Sequence, residues 1–110
     1  MIKQFAKTSV GQLAMTVCPG PNATAQMECR NRIQRAFMER SRLQIPASFS
    51  QEALHSGVAG GTVFPELVTQ GATWDPQLVQ DIASAVAAEC RAVGGNTAFS
   101  PVINLFIDSR

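Results

Sequence analysis

The first half of the chain contains a stretch in which apolar and charged residues alternate with a helical period. Thr24 is suited to the N-cap of this stretch, and the pattern predicts a helix from Thr24 to about Ser41. The predicted inward face is apolar and consists of Cys29, Ile33, Ala36 and Phe37. The residues predicted to face away are charged and consist of Arg30, Arg32, Arg35 and Glu39.

A second helix is predicted in the C-terminal half. Asp75 is suited to the N-cap, and Pro76 to the first helical position, where its missing N–H costs nothing. Trp74 is expected to pack on Val79 as a hydrophobic staple. Gly94-Gly95 is expected to end the helix. Its apolar stripe consists of Leu78, Val79, Ile82, Val86, Cys90 and Val93.

Three apolar runs predict strands from Gly11 to Val17, from Ile45 to Ser50 and from Thr97 to Phe106. The runs are apolar throughout rather than alternating, as expected for strands that are buried on both faces. A long glycine-rich loop is predicted from Gln51 to Thr73, and loops of this length are usually functional. The order of strands and helices therefore predicts an α/β fold with parallel strands.

This set of about three strands and two main helices is too small to close an eight-stranded barrel. A sheet of about three strands would also expose two edges with unpaired backbone groups. The pattern therefore indicates one part of a larger domain.

The composition excludes several classes of function. The 110 residues allow one small domain at most, and a 45% apolar content is enough for a core. Charged residues make up only 15%, so either part of the surface is covered by something else or the surface is merely bland. With a net charge of +1 and no long basic run, neither nucleic acid nor a membrane surface is an expected partner. No apolar run is long enough to span a membrane, and Met1 to Val10 has no signal-peptide core.

The cysteines and the single histidine give no metal site. Cys18, Cys29 and Cys90 form no CxxC pair, and His55 is the only histidine, so no metal or cofactor is expected. The odd number of cysteines argues against a complete disulfide framework. Because Cys29 and Cys90 fall on apolar helical faces, both are predicted to be buried thiols. Asn22-Ala23-Thr24 is a glycosylation sequon, which matters only in a secreted chain.

A series of short motifs runs along the chain, and the clearest lie in residues 41–110. Residues 71–79 read G-A-T-W-D-P-Q-L-V and differ only at Gln77 from the motif G-A-T-W-D-P-E-L-V. The other segments are Ser41-Arg42-Leu43-Gln44-Ile45-Pro46, Gln51-Glu52-Ala53-Leu54-His55, Thr62-Val63-Phe64-Pro65, Glu89-Cys90-Arg91-Ala92-Val93-Gly94 and Phe99-Ser100-Pro101-Val102. In this order and with this spacing the segments resemble the N-terminal domain of family 3 glycoside hydrolases.

The resemblance implies that residues 1–110 are a fragment of that barrel domain, a partial (β/α)8 TIM-type barrel. It implies a retaining, exo-acting hydrolase of the β-glucosidase or β-xylosidase type, acting on a β-linked oligosaccharide or glycoside. It also implies that the fragment packs against the rest of the barrel and a following α/β sandwich domain. Members of the family are often secreted or periplasmic.

The resemblance assigns one substrate-binding residue, Glu52, whose carboxylate would accept hydrogen bonds from hydroxyls of the terminal sugar. His55 is expected to support the same loop, although the family's His-Gly reads His55-Ser56-Gly57 here. No catalytic residue is expected. The family's D-P-R-W-G-R reads Asp108-Ser109-Arg110, and the nucleophile and the acid/base residue would lie beyond residue 110. The isolated chain is therefore predicted to be inactive.

Two other readings of the sequence stay open. One is a non-catalytic remnant that binds sugar weakly through the Glu52 loop. The other is a chain that only makes interactions and has no sugar chemistry. In all three readings Glu66 and Glu89 are interpreted as surface charges of the loop and the second helix.

Overall fold

The computed structural model describes residues 10–14, 17–105 and 107–108. Its elements in chain order are β1 (Gln12–Ala14), α1 (Ala23–Arg40), β2 (Ser48–Gln51), α2 (Leu67–Gly71), α3 (Pro76–Ala92) and β3 (Thr97–Ala98). The strands pair in parallel in the order β1-β2-β3. This arrangement is compatible with the predicted α/β class. Predictions for Met1 to Ser9, for the middle of the first predicted strand at 15–16, and for Phe106 and Arg110 lie outside the described residues.

The N-cap of helix α1 lies two residues before the predicted one. The side-chain oxygen of Asn22 accepts a hydrogen bond from the Ala25 amide at 3.0 Å, so Asn22 is the N-cap. The prediction of Thr24 was wrong because asparagine is a stronger cap than threonine and lies directly after Pro21, where the chain is still extended. At the other end the Ser41 amide donates to the Phe37 carbonyl at 3.1 Å, close to the predicted end.

The hydrophobic core lies between α1 and the sheet. Its buried members are Cys18, Ile33, Phe37, Ala47 and Phe49, and Val10, Leu13 and Cys29 pack against them. Full burial of an aromatic or aliphatic side chain contributes about 2 kcal/mol, so these few contacts hold α1 in place. Gln34 fixes the position of α1 along β2, because its side chain bonds both the amide and the carbonyl of Ala47 at 2.8 and 2.6 Å.

Arg30 is on the inner side of α1, although the sequence pattern placed it outside. Its side chain is 1% exposed, donates to the Val93 carbonyl, and lies with its guanidinium carbon 5.9 Å from the centre of the Phe49 ring. Burial lowers the pKa of the guanidinium, and the nearby Cys90 opposes this shift. The physical reason is helical spacing, since Arg30 precedes Ile33 and Phe37 by one and two turns on the same face.

Cys29 is not a buried thiol, and the prediction was wrong. It forms a disulfide with Cys18, with 5.7 Å between the two Cα atoms. The bond ties the segment that follows β1 to the second turn of α1. Spacing did not reveal the pair because the approach of Cys18 depends on the path of the intervening proline-rich turn. Cys90 is a buried free thiol, as predicted.

Helix α3 begins as predicted. One oxygen of the Asp75 side chain accepts from the amides of Gln77 and Leu78 at 3.0 and 3.1 Å, and Pro76 occupies the first turn. The helix ends at Ala92, and Gly94 follows with a φ of +86°. The staple is absent: Trp74 has a φ of +54° and is 92% exposed, so it does not pack on the helix.

The predicted apolar stripe of α3 is buried only in its second half. Val86, Cys90 and Val93 are buried, whereas Leu78 is exposed and Val79 and Ile82 are partly exposed. The reason is the short sheet. Strand β3 ends at Ala98, and the first turns of α3 lie beside α2 and the neighbouring loop segments.

We expect Asp75→Ala to lower the free energy of unfolding by about 1 kcal/mol, because two helix amides lose their acceptor. Asp75→Asn keeps the acceptor oxygen and should retain most of the stability. Asp81→Ala is the matched control, since Asp81 is an exposed aspartate on the same helix whose carboxylate accepts from the Gln77 side chain. Urea unfolding of the three variants measures the effect, and an equal loss at both aspartates would contradict it.

The strands are shorter than predicted. In β2 the pairing starts at Ser48 instead of Ile45, and Ile45 and Pro46 are exposed. In β3 it stops at Ala98, and most of the described residues that follow are exposed, although the whole run was predicted as a strand. The ladder ends there because β2 ends at Gln51, and Pro101 has no N–H to donate. The exposed apolar residues of this segment are Phe99, Val102, Ile103, Leu105 and Ile107.

Candidate functional site

The carboxyl ends of β2 and β3 meet at one edge of the sheet. Gln51 pairs with Ala98, and the Phe99 amide donates to the Gln51 carbonyl at 2.8 Å. Glu52 and Phe99 are therefore the first residues beyond two neighbouring parallel strands. This is the kind of edge at which α/β proteins place their ligand-binding residues.

Glu52 projects from this edge without a protein partner. Its side chain is exposed, and among the described residues it makes no hydrogen bond or ion pair. The next residue, Ala53, has a φ of +51°, a left-handed conformation that a residue with a Cβ rarely adopts. The chain therefore turns sharply just after Glu52, and its carboxylate stays available to a ligand.

Gln51 anchors the strand end below Glu52. It is 2% exposed, and its amide nitrogen donates to the Cys90 carbonyl at 3.2 Å. Gly95 makes this possible, because a Cβ at that position would overlap the amide of Gln51. The oxygen of the Gln51 side chain has no hydrogen-bond partner among the described residues. The sequence did not single out Gln51, since a glutamine in an apolar run carries no signal for burial.

His55 closes the loop that begins at Glu52. Its backbone carbonyl accepts from the Phe64 amide at 2.9 Å, and its Nδ1 lies 2.9 Å from the Phe64 carbonyl. Its Nε2 lies 3.1 Å from the exposed carboxylate of Glu66. The two ring nitrogens thus each face an oxygen atom that can accept a hydrogen bond. The structure thus joins His55 to Phe64 and Glu66 rather than to Glu52.

Two further contacts hold this loop against the helices. The carboxylate of Glu89 accepts from the amide of Thr62 at 3.0 Å and from its hydroxyl at 2.6 Å. The side chain of Gln26 donates to the Ala59 carbonyl at 3.4 Å. Glu89 does lie on the helix, but its carboxylate also accepts hydrogen bonds from a loop residue 27 positions away, a role that the interpretation as a surface charge did not include. These residues are distant in the sequence, and the packing of the loop against α1 and α3 brings them together.

Two mainly apolar grooves run along α3 beside this edge. One, of about 240 Å³, is lined by residues that include Gln51, Cys90, Gly95 and Ser100. The other, of about 390 Å³, includes Ala53, Leu54, Val79 and Pro101. Glu52 lines neither groove, so its carboxylate lies outside both.

The described part of the chain offers no cluster of three or more histidine, cysteine, aspartate or glutamate side chains that could hold a metal ion. Nor does any helix in the described ranges have the length and apolar character needed to cross a membrane.

Two relatives support a common origin with glycosidases. A protein of Formosa agariphila named Beta-xylosidase is 35% identical over 71 residues, covering 59% of this chain and 10% of that protein. A second protein of this organism, also named as a beta-xylosidase, is 36% identical over 88 residues, covering 78% of this chain and 12% of that protein. The chain thus spans about a tenth of the length of these relatives. No solved structure matches it with significance.

The family comparison covers almost the whole chain. Residues 2–110 match the family described as the glycosyl hydrolase family 3 N terminal domain. This range includes β1, α1 and the disulfide, which lie upstream of the clearest motifs. The two relatives agree with this match. The chain therefore belongs to the glycosyl hydrolase family 3 N-terminal domain family.

Proposed function

We propose that this chain supplies part of the sugar-binding surface of a glycosidase that acts on β-linked glycosides, with Glu52 as its sugar ligand. The observation that carries the proposal is the position of Glu52, an exposed carboxylate at the carboxyl end of a parallel strand with no partner among the described residues. A carboxylate can accept hydrogen bonds from two adjacent sugar hydroxyls, and such charge-assisted bonds are about twice as strong as neutral ones.

His55 and Glu89 would position Glu52 rather than touch the sugar. The loop after Glu52 is held at His55 by Phe64 and at Thr62 by Glu89. Because the loop is fixed at these points, Glu52 need not lose much additional freedom when it binds a ligand.

The reaction belongs to the whole enzyme, and we propose the retaining, exo-acting course for it. That course needs two carboxyl groups about 5 Å apart, one acting as nucleophile and one as acid and base. In this proposal neither comes from residues 1–110, and other parts of a family protein supply both. Because both relatives are named for β-xylosidase, xylosides are as relevant as glucosides.

The fold is proposed to be the first part of a (β/α)8 barrel. The parallel sheet leaves the outer edge of β3 without a described neighbour, and the apolar residues that follow it are exposed. Further barrel strands and helices would cover this edge and the two grooves along α3, and a following α/β sandwich domain would complete the site. This also accounts for the low content of charged residues, 15%.

The proposal is tested by titrating the chain with methyl β-xyloside and methyl β-glucoside while amide chemical shifts are recorded. We expect shifts in the segment from Glu52 to Phe64, and Glu52→Gln should weaken binding about tenfold, because a neutral amide replaces the charged acceptor. Glu39→Gln, an exposed carboxylate on α1, is the control and should bind like the parent chain. A flat titration of the parent chain, or equal weakening by both variants, would contradict the assignment.

A turnover assay tests the division of labour. The chain by itself should not hydrolyse an aryl β-xyloside or β-glucoside, because the proposed nucleophile and acid/base residue are not among its residues. Steady hydrolysis that Glu52→Ala abolishes would overturn this part of the proposal.

A further inference from the structure

The segment from Cys18 to Cys29 contains both a disulfide and a glycosylation sequon. The disulfide joins its ends. Inside it lies the sequon Asn22-Ala23-Thr24, and all three of its residues are exposed. Structural disulfides are typical of oxidising compartments and rare elsewhere, and asparagine is glycosylated in secreted proteins, which pass through such compartments. The two observations therefore point to the same cellular environment.

The hydrogen bonding of Asn22 leaves its amide nitrogen available. Its Oδ1 accepts from the Ala25 amide at 3.0 Å and caps α1. Its Nδ2 makes no hydrogen bond with any described residue, and the Asn22 backbone is extended, with a φ of −153°. A glycosylated asparagine keeps its Oδ1 as an acceptor. Attachment of a sugar at Nδ2 is therefore compatible with the cap.

The surroundings also leave room for a sugar. Pro21, Asn22 and Ala23 line a groove of about 310 Å³ together with Val58 and Gly60. A first sugar on Nδ2 can lie along this groove without displacing the core, because Asn22 itself is exposed.

We propose that Asn22 carries an N-linked glycan, attached in the compartment in which the Cys18–Cys29 disulfide forms. In the disulfide step the two thiols release two protons and two electrons, and the electrons reduce the disulfide of an oxidoreductase to a dithiol. In the glycosylation step Nδ2 attacks C1 of a sugar linked to a lipid diphosphate. The N–C1 bond forms, the C1–O bond to phosphate breaks, the lipid diphosphate leaves, and the amide loses one proton.

The first test is peptide mapping of the protein isolated from its source. Trypsin cleavage after Lys7 and Arg30 places both cysteines and Asn22 on one peptide. Without reduction, Cys18 and Cys29 should resist alkylation. Peptide N-glycosidase in heavy-oxygen water should convert Asn22 to a labelled aspartate. An unlabelled Asn22 overturns the glycan, and alkylation of both cysteines without reduction overturns the oxidising compartment.

The second test uses secretion of the chain from a eukaryotic host. Thr24→Ser keeps the sequon and should keep the glycosidase-sensitive mass, whereas Thr24→Val and Asn22→Asp should lose it. Asn22→Asp keeps the cap, since aspartate is an equally good N-cap. Enzymatic deglycosylation also leaves aspartate at position 22, so the deglycosylated parent should have the same mass and thermal unfolding as Asn22→Asp. A parent chain that is secreted without a glycan overturns the proposal. Glu52 is unchanged in every variant, so failure here leaves the proposed sugar site untouched.

Discussion

Replacement of Arg30 by alanine should lower the free energy of unfolding by about 3 kcal/mol. The guanidinium is buried, donates to the Val93 carbonyl and lies over Phe49, so the change removes a charged donor and leaves a cavity. The loss falls between α1 and the end of α3, which the hydrogen bond from Arg30 to Val93 joins. Chemical denaturation of the oxidised chain measures it directly.

Two further variants distinguish the loss of the buried hydrogen bond from the loss of packing. Arg30→Met fills much of the space but cannot donate, so about half of the loss should remain. Arg35→Ala removes an exposed arginine from the same helix and should change stability by less than about 0.5 kcal/mol. If Arg30→Ala and Arg35→Ala were equally mild, Arg30 would not join α1 to α3 in solution.

The second large effect is expected from Gly57→Ala, which should destabilise the chain by about 2 kcal/mol. A Cβ at Gly57 would overlap the Cys90 sulfur and would lie 3.2 Å from the Val86 carbonyl. Both neighbours belong to α3, so the loop must move outwards or the helix must shift. Gly71→Ala is the matched control, because a Cβ there meets no atom within 4 Å.

A double-mutant cycle tests the cause of this loss. Cys90→Ala removes the sulfur that the new methyl group would strike, at a cost of about 1 kcal/mol on its own. The double variant should lose less unfolding free energy than the two single variants lose together, by about 1 kcal/mol or more. Strict additivity would show that the loop moves away without meeting Cys90.

The cycle is informative only where the thiol is protonated. Burial raises the pKa of the Cys90 thiol, the neighbouring Glu89 raises it further, and Arg30 lowers it. A pKa raised on folding stabilises the native state fully below the pKa of the unfolded thiol. That stability is lost as the pH rises through the folded value. The difference between Cys90 and Cys90→Ala should therefore shrink at alkaline pH, and the cycle is best measured near neutrality.

The sequence predicted those parts of the fold that depend on residues close to one another in the chain. The start of α3 follows from Asp75 and Pro76, whose effects act within one turn. The lengths of β2 and β3 were wrong because a strand ends where its partner ends, and the partner is distant in sequence. Arg30 was predicted to face outwards because it is charged, although its helical position puts it on the same face as Ile33 and Phe37.

The candidate site shows the same division. The placement of Glu52 just after a strand followed from the motifs, and the structure puts it there. The residues that hold its loop were not predictable. The contact between Glu89 and Thr62 depends on how α3 lies against the loop, and the burial of Gln51 depends on Gly95 leaving room for it. Neither relation is visible in a pattern of residue types.

The Cys18–Cys29 bond has a practical consequence for how the protein is prepared. It closes a loop between residues 11 apart and so removes freedom from the unfolded chain, a contribution of about 3 kcal/mol. Protein made in a reducing cytoplasm would lack this contribution. The free energy of unfolding of its parent chain would then be lower by as much as the Arg30 replacement is expected to cost. Cys29 directly precedes Arg30, so the unfolding free energies of α1 variants can be compared only when the disulfide is formed in each of them. Production in an oxidising host meets this condition.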